Sequence, residues 1–85
     1  LEVDFICYGE RGLFAFEVKR KTKYSKSDLS GLLAFKKDYP MAQCFLVYGG
    51  DRREYLDELS VYPMKDILFD LLEMMYGRRK YYRNG

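Results

Sequence analysis

Glu2-Val3-Asp4-Phe5-Ile6-Cys7-Tyr8 and Leu13-Phe14-Ala15-Phe16-Glu17-Val18-Lys19, joined by Gly9-Glu10-Arg11-Gly12, form the stretch that decides the fold. Two short apolar segments flank a loop with glycine at both ends, which reads as a β-hairpin with a tight reversal. A hairpin symmetric about this loop sets Tyr8 opposite Leu13, Ile6 opposite Ala15, Asp4 opposite Glu17 and Glu2 opposite Lys19. Strand side chains alternate between faces. Asp4, Glu17 and Lys19 then share one face, and Val3, Phe5, Cys7, Phe14, Phe16 and Val18 share the other. Directly opposed residues have Cβ atoms about 4.5–5.5 Å apart, where like charges destabilise. Stability alone does not favour Asp4 against Glu17. A divalent cation between the carboxylates explains the pairing. The alternative is structural: Lys19 pairs with Glu2 or Glu17 across the hairpin and no chemistry follows.

Composition narrows the function classes. The chain has 85 residues, 48% of them hydrophobic and 18% aromatic, which is one small domain with enough apolar surface for a core. A net charge of +2 does not by itself argue for nucleic acid. The charge is clustered, however, at Lys19-Arg20-Lys21-Thr22-Lys23 and at Arg78-Arg79-Lys80-Tyr81-Tyr82-Arg83. The two cysteines, Cys7 and Cys44, lie in apolar strand-like runs and read as buried free thiols of a reducing cytoplasm. No apolar run reaches the length of a membrane span, so no membrane partner is expected. Histidine is absent, which removes histidine-activated nucleophiles and histidine-bound zinc. Hydrolytic chemistry would have to use carboxylates, lysine and a hard metal ion.

Beyond the hairpin, Ser25 reads as a helix N-cap, with Asp28 favouring the helix's positive end. The helix is expected over 26–38, packing Leu29, Leu32, Leu33 and Phe35 on the sheet and ending at Tyr39-Pro40. Met41 to Tyr48 reads as a strand covered on both faces and stopped by Gly49-Gly50-Asp51. Short strands are expected over 52–55 and 59–62. Pro63 opens a second helix with an apolar stripe of Ile67, Leu68, Leu71, Leu72 and Met75, closed by Gly77. The helix between the second and third strands implies a crossover and a parallel pair. The expected architecture is an α/β sandwich with a mixed sheet over 1–77, followed by a basic, aromatic tail over 78–85.

These elements carry a family resemblance. Asp4 followed by Glu17-Val18-Lys19 resembles the aspartate and (D/E)XK elements of the PD-(D/E)XK nuclease superfamily, the restriction-endonuclease-like fold. The wider pattern adds Asp28-Leu29-Ser30-Gly31-Leu32, Asp38-Tyr39-Pro40, Leu46-Val47-Tyr48-Gly49-Gly50 and Val61-Tyr62-Pro63-Met64. Together these resemble the C-terminal domain of unknown function of bacterial and archaeal AAA-type ATPases, over about residues 2–70. That superfamily's core begins with a helix and a strand ahead of the aspartate-bearing strand, so the resemblance implies an N-terminally truncated fragment. An open sheet edge and a homodimer through that edge follow as expectations.

The resemblance implies metal-dependent phosphodiester hydrolysis, with Asp4, Glu17 and Lys19 as catalytic residues. Asp4, Glu17 and the Val18 carbonyl would hold Mg2+ or Mn2+, and Lys19 would orient water or stabilise developing charge. Arg20, Lys21 and Lys23 are the expected contacts to a DNA backbone. The enzyme expected is an endonuclease whose isolated fragment is inactive. A second reading is a catalytically silent interaction or regulatory module for the ATPase region of the parent protein, with the numerous tyrosines as contact residues. A third places non-specific nucleic-acid binding on the tail, with Tyr81 and Tyr82 stacking on bases.

Overall fold

The computed structural model describes residues 3–67 and residue 73. Strands β1 (Phe5–Gly9) and β2 (Gly12–Lys19) lead to helix α1 (Lys26–Asp38). Strands β3 (Gln43–Tyr48), β4 (Glu54–Tyr55) and β5 (Ser60–Pro63) follow, and residues 64–67 are helical. The five strands form one sheet in the order β1-β2-β3-β5-β4. The β1–β2 and β4–β5 pairs are antiparallel, whereas β2–β3 and β3–β5 are parallel. This is the expected α/β architecture with a mixed sheet, and the crossover through α1 makes β2 and β3 parallel.

The hairpin register also agrees with the sequence reading: Tyr8 pairs with Leu13 and Ile6 with Ala15. The reversal works differently from a mirror-image turn. Among the described residues no non-glycine residue has a positive φ, and of the glycines only Gly12 takes one, at 124°. Glu10 and Arg11 therefore turn in ordinary backbone conformations, and Gly12 restores the strand direction, at little cost because it lacks a Cβ.

Helix α1 starts where a polar cap stops the extended chain. Ser25 is extended, with φ −127° and ψ 175°. Its N–H donates to Asp28 Oδ2 at 2.9 Å, which is the carboxylate half of a capping box. Lys36 and Lys37 occupy the last turn, where cations favour the helix dipole. Pro40 follows the cap residue Tyr39, whose N–H donates to the Phe35 carbonyl at 2.8 Å. At about 100° per residue, Phe35, Asp28, Leu32, Lys36 and Leu29 span one arc, and Leu33 falls about 40° outside it. Leu33 is correspondingly exposed, in contrast to expectation. Lys36 takes its place at the arc's edge, half-buried, with its ammonium donating to the Ala42 carbonyl.

The core has two sides. Under α1 lie Ala15, Leu29, Leu32, Phe35, Cys44, Leu46, Tyr48 and Val61. On the opposite face Phe14, Phe16, Phe45 and Tyr62 pack together, with Ile67 of the helical segment against them. Phe45 is the hinge of that layer: Phe16 stacks on it at 5.4 Å and Tyr62 meets it edge-on at 5.5 Å.

Several boundaries and one side-chain face differ from the sequence expectation. Met41 and Ala42 precede β3, with Met41 exposed and Ala42 buried. Arg52 and Arg53 precede β4, which is only two residues long. Pro63 is the last residue of β5, paired with Tyr48, and the helix begins after it. Val3 packs on the α1 side instead of with Cys7. The expected placements of Glu2, Leu68, Leu71, Leu72, Met75, Gly77 and the tail over 78–85 lie outside the described residues.

Candidate functional site

Residue alternation on β2 sets the site. Phe14 and Phe16 are turned into the lower aromatic layer, so Ala15 and Glu17 face α1. In the parallel register Glu17 lies beside Leu46, which lies beside Val61. Glu17 is accordingly 4% exposed, one of two buried charged residues among those described. Its Oε2 lies 3.4 Å from Lys19 Nζ, two residues on along the same strand face. Lys19 pairs with Tyr48 in the next row and is about one third exposed. Removing a carboxylate from water costs on the order of several kcal/mol, and a partly exposed lysine offsets only part of that. Glu17 is thus held in place by the fold, at some expense in stability.

Asp4 stands at a bend one residue before β1. Its N–H donates to the Phe16 carbonyl at 2.9 Å, although Phe5 is the register partner of Phe16. Two residues thus oppose one, as in a β-bulge, and side-chain alternation is reset at this point. The reset explains the position of Val3 and corrects the expectation that Asp4 continues the strand. The Asp4 carboxylate accepts the Val18 N–H at 2.6 Å. Strand residues direct N–H and C=O to the same side, so the Val18 carbonyl also points to the β1 edge, where Asp4 sits.

This arrangement sets Asp4 against the Val18 main chain and Glu17 beside Lys19, on neighbouring residues of one strand. Two carboxylates and a main-chain carbonyl are hard oxygen donors, and magnesium takes one or two carboxylates with water completing its shell. The donor chemistry fits a hard cation. Among the described residues no group of three or more Asp, Glu and Cys side chains gathers, so a third ligand must be main-chain oxygen or water.

The residues expected to touch nucleic acid divide. Arg20 and Lys23 are exposed at the carboxyl end of β2 and in the loop after it. Lys21 is exposed too, but its ammonium is engaged: it donates to Oδ1 of the buried Asp28 at 2.9 Å and to Oδ2 at 2.7 Å. Those bonds, then the Ser25 N–H, hold the Asp28 carboxyl below the usual aspartate value of 3.8. The Lys21 carbonyl also accepts the Gly49 N–H at 2.7 Å. Lys21 therefore ties the end of β2 to both α1 and the turn after β3. In the sequence Asp28 reads as a helix-cap residue, and nothing in the spacing announces its partner across the loop.

A family model described as Domain of unknown function (DUF4143) matches residues 1–67. The chain belongs to the DUF4143 family. The match includes the five described strands and α1 of this DUF4143 domain. The family description names no activity, ligand or partner. No curated protein and no solved structure matches the chain. No helix among the described residues is long and apolar enough to cross a membrane.

Proposed function

We propose that Asp4, Glu17, Val18 and Lys19 form a divalent-cation site of the PD-(D/E)XK type, serving phosphodiester hydrolysis on DNA. The observation that carries this reading is the buried Glu17, 3.4 Å from Lys19, on a strand whose Val18 N–H binds Asp4. The fold bears the desolvation of Glu17 beside a lysine, as a cation site requires. Asp4, Glu17 and the Val18 carbonyl would hold Mg2+ or Mn2+. Such a cation, when bound, acidifies water and polarises a phosphoryl oxygen. Lys19 supplies positive charge where phosphoryl oxygens become more negative. Arg20 and Lys23 offer exposed cations for neighbouring phosphates, a sequence-independent contribution. Lys21 contributes by positioning, through Asp28. The resemblance places such a domain in the C-terminal part of an AAA-type ATPase, which would be its covalent neighbour.

Calorimetric titration of Mg2+ and Mn2+ into the chain and into Asp4→Asn/Glu17→Gln tests the site. Binding by the wild type alone is expected. Metal-dependent nicking of a plasmid, lost in Lys19→Met with metal binding retained, is the expected activity of the longer protein. Absence of both binding and nicking sinks the reading.

A second reading has its own observation. The Asp4 carboxylate is already engaged with Val18, and Glu17 with Lys19. Charges balanced within the protein suit a silent regulatory module of the ATPase, and the failed titration would select it.

A further inference from the structure

At the carboxyl ends of β2 and β3, a cleft of about 850 Å³ opens between the loop leading to α1 and the turn after β3. Sheets with parallel strands seat ligands at the carboxyl ends of those strands. The cleft floor is apolar, from Tyr24, Leu29 and Leu56. Its wall is the buried Tyr48, edge-on to Tyr24 with ring centroids 5.4 Å apart. The Tyr48 hydroxyl donates to the Arg52 carbonyl at 2.9 Å and accepts the Arg52 N–H at 3.2 Å, which fixes the turn.

Lys23, Lys26 and Arg52 line the rim and are exposed. Among the described residues none of the three forms an ion pair. Lys26 is the first residue of α1, where the helix dipole disfavours a cation. Helix stability therefore does not account for its charge. Asp51, paired with Lys65 at 3.3 Å, and Glu54 also line the cleft, so three cations face two carboxylates there. An aromatic and aliphatic floor under a cationic rim matches a planar ring that carries an anion.

We propose that this cleft binds a nucleotide unit, with the base on the Tyr24–Leu56 floor and the phosphate between Lys23, Lys26 and Arg52. The α1 terminus itself is not the anion site, because Asp28 already accepts the Ser25 N–H there. A free mononucleotide and an unpaired nucleotide of a strand offer the same chemistry. The cleft uses none of Asp4, Glu17 and Lys19, so it is independent of the cation site. It borders that site through the Lys19–Tyr48 pair.

The test is calorimetry on the chain without added metal, using adenosine monophosphate, adenosine, inorganic phosphate and a short single-stranded oligonucleotide. The monophosphate should bind more tightly than adenosine or phosphate. Lys23→Ala/Lys26→Ala should weaken it by about tenfold or more and leave adenosine unchanged. Tyr24→Leu should weaken adenosine and the monophosphate alike. An unchanged melting temperature of the lysine variant verifies that its fold is intact. Tighter binding of the oligonucleotide than of the monophosphate identifies a strand as the source, and the reverse identifies a free nucleotide. Asp4→Asn/Glu17→Gln should bind the monophosphate as the wild type does, whatever becomes of the cation site. The proposal is overturned if no compound binds, if phosphate matches the monophosphate, or if the lysine variant loses nothing.

Discussion

The carboxylate of Asp4 accepts the backbone N–H of Val18 at 2.6 Å, where a continuing β1 strand would have offered a main-chain carbonyl. A side chain thus completes the ladder at the bend, and Asp4 is as much a structural acceptor as a candidate ligand. The two roles separate by substitution. Asp4→Ala leaves the Val18 N–H without its acceptor and should cost about 0.5–1.5 kcal/mol. Asp4→Asn keeps an oxygen acceptor and should recover most of that, while losing the charge a cation needs. Urea midpoints of the three proteins measure the first effect and metal titration the second. Equal stability of Ala and wild type would show that the bond contributes nothing.

The Lys21–Asp28 pair makes acid stability depend on one carboxylate. The folded-state pKa of Asp28 lies below its ordinary 3.8, chiefly through the Lys21 bonds and then the Ser25 N–H. The unfolded chain therefore binds the proton first as pH falls. The stabilisation is fully present above about pH 4 and disappears as pH drops through the folded-state value. Asp28→Asn should melt lower than the wild type at pH 7, with the gap closing as pH falls through the folded-state value of Asp28. A gap of constant size across that range would exclude the ionised pair as its cause.

Thiol reactivity reports the same packing. Cys44 is 3% exposed under α1, and burial pushes its thiol upward from the usual value of 9.0. Cys7 is half-buried on the edge strand β1. The thiolate is the reactive form. A disulfide-exchange reagent should therefore modify Cys7 in the native chain and Cys44 only under denaturing conditions. Rapid native modification of both, counted by mass spectrometry, would contradict the buried position of Cys44.

Local signals in the sequence were sufficient for most of the fold. The apolar alternation on either side of Gly9-Glu10-Arg11-Gly12 fixed the hairpin register, and Ser25 and Tyr39-Pro40 bounded α1 as observed. Leu33 was misplaced because apolar character alone does not define the width of a helix's buried arc. Asp4 was misplaced because a bulge changes the face of every residue before it, and no residue type at 3–5 announces one. The nearness of Asp4 to the Glu17-Val18-Lys19 element was legible from hairpin symmetry. The Lys21–Asp28 tie and the cleft beside Tyr48 were not, since both arise where separate loops meet in space.

Three glycines distinguish those loop contacts from simple turn chemistry. At Gly9 an added Cβ meets nothing within 4 Å and the backbone is ordinary, so Gly9→Ala should leave stability within about 0.5 kcal/mol. At Gly12 there is space, but φ is 124°, which a side chain resists. Gly12→Ala should cost about 1–2 kcal/mol by strain alone. At Gly50 a Cβ would lie 2.5 Å from the Tyr48 ring and 2.7 Å from the Thr22 carbonyl. The Tyr48 ring is buried and held by Arg52, and the carbonyl is main chain, so neither yields easily. Gly50→Ala should therefore cost about 1–3 kcal/mol, as overpacking does. It should also narrow the cleft between Thr22 and Arg52, lowering nucleotide affinity where Gly12→Ala does not. Denaturant midpoints paired with calorimetry on the three variants check both parts. A Gly50→Ala chain as stable as Gly9→Ala would mean that the two loops do not meet as closely as described.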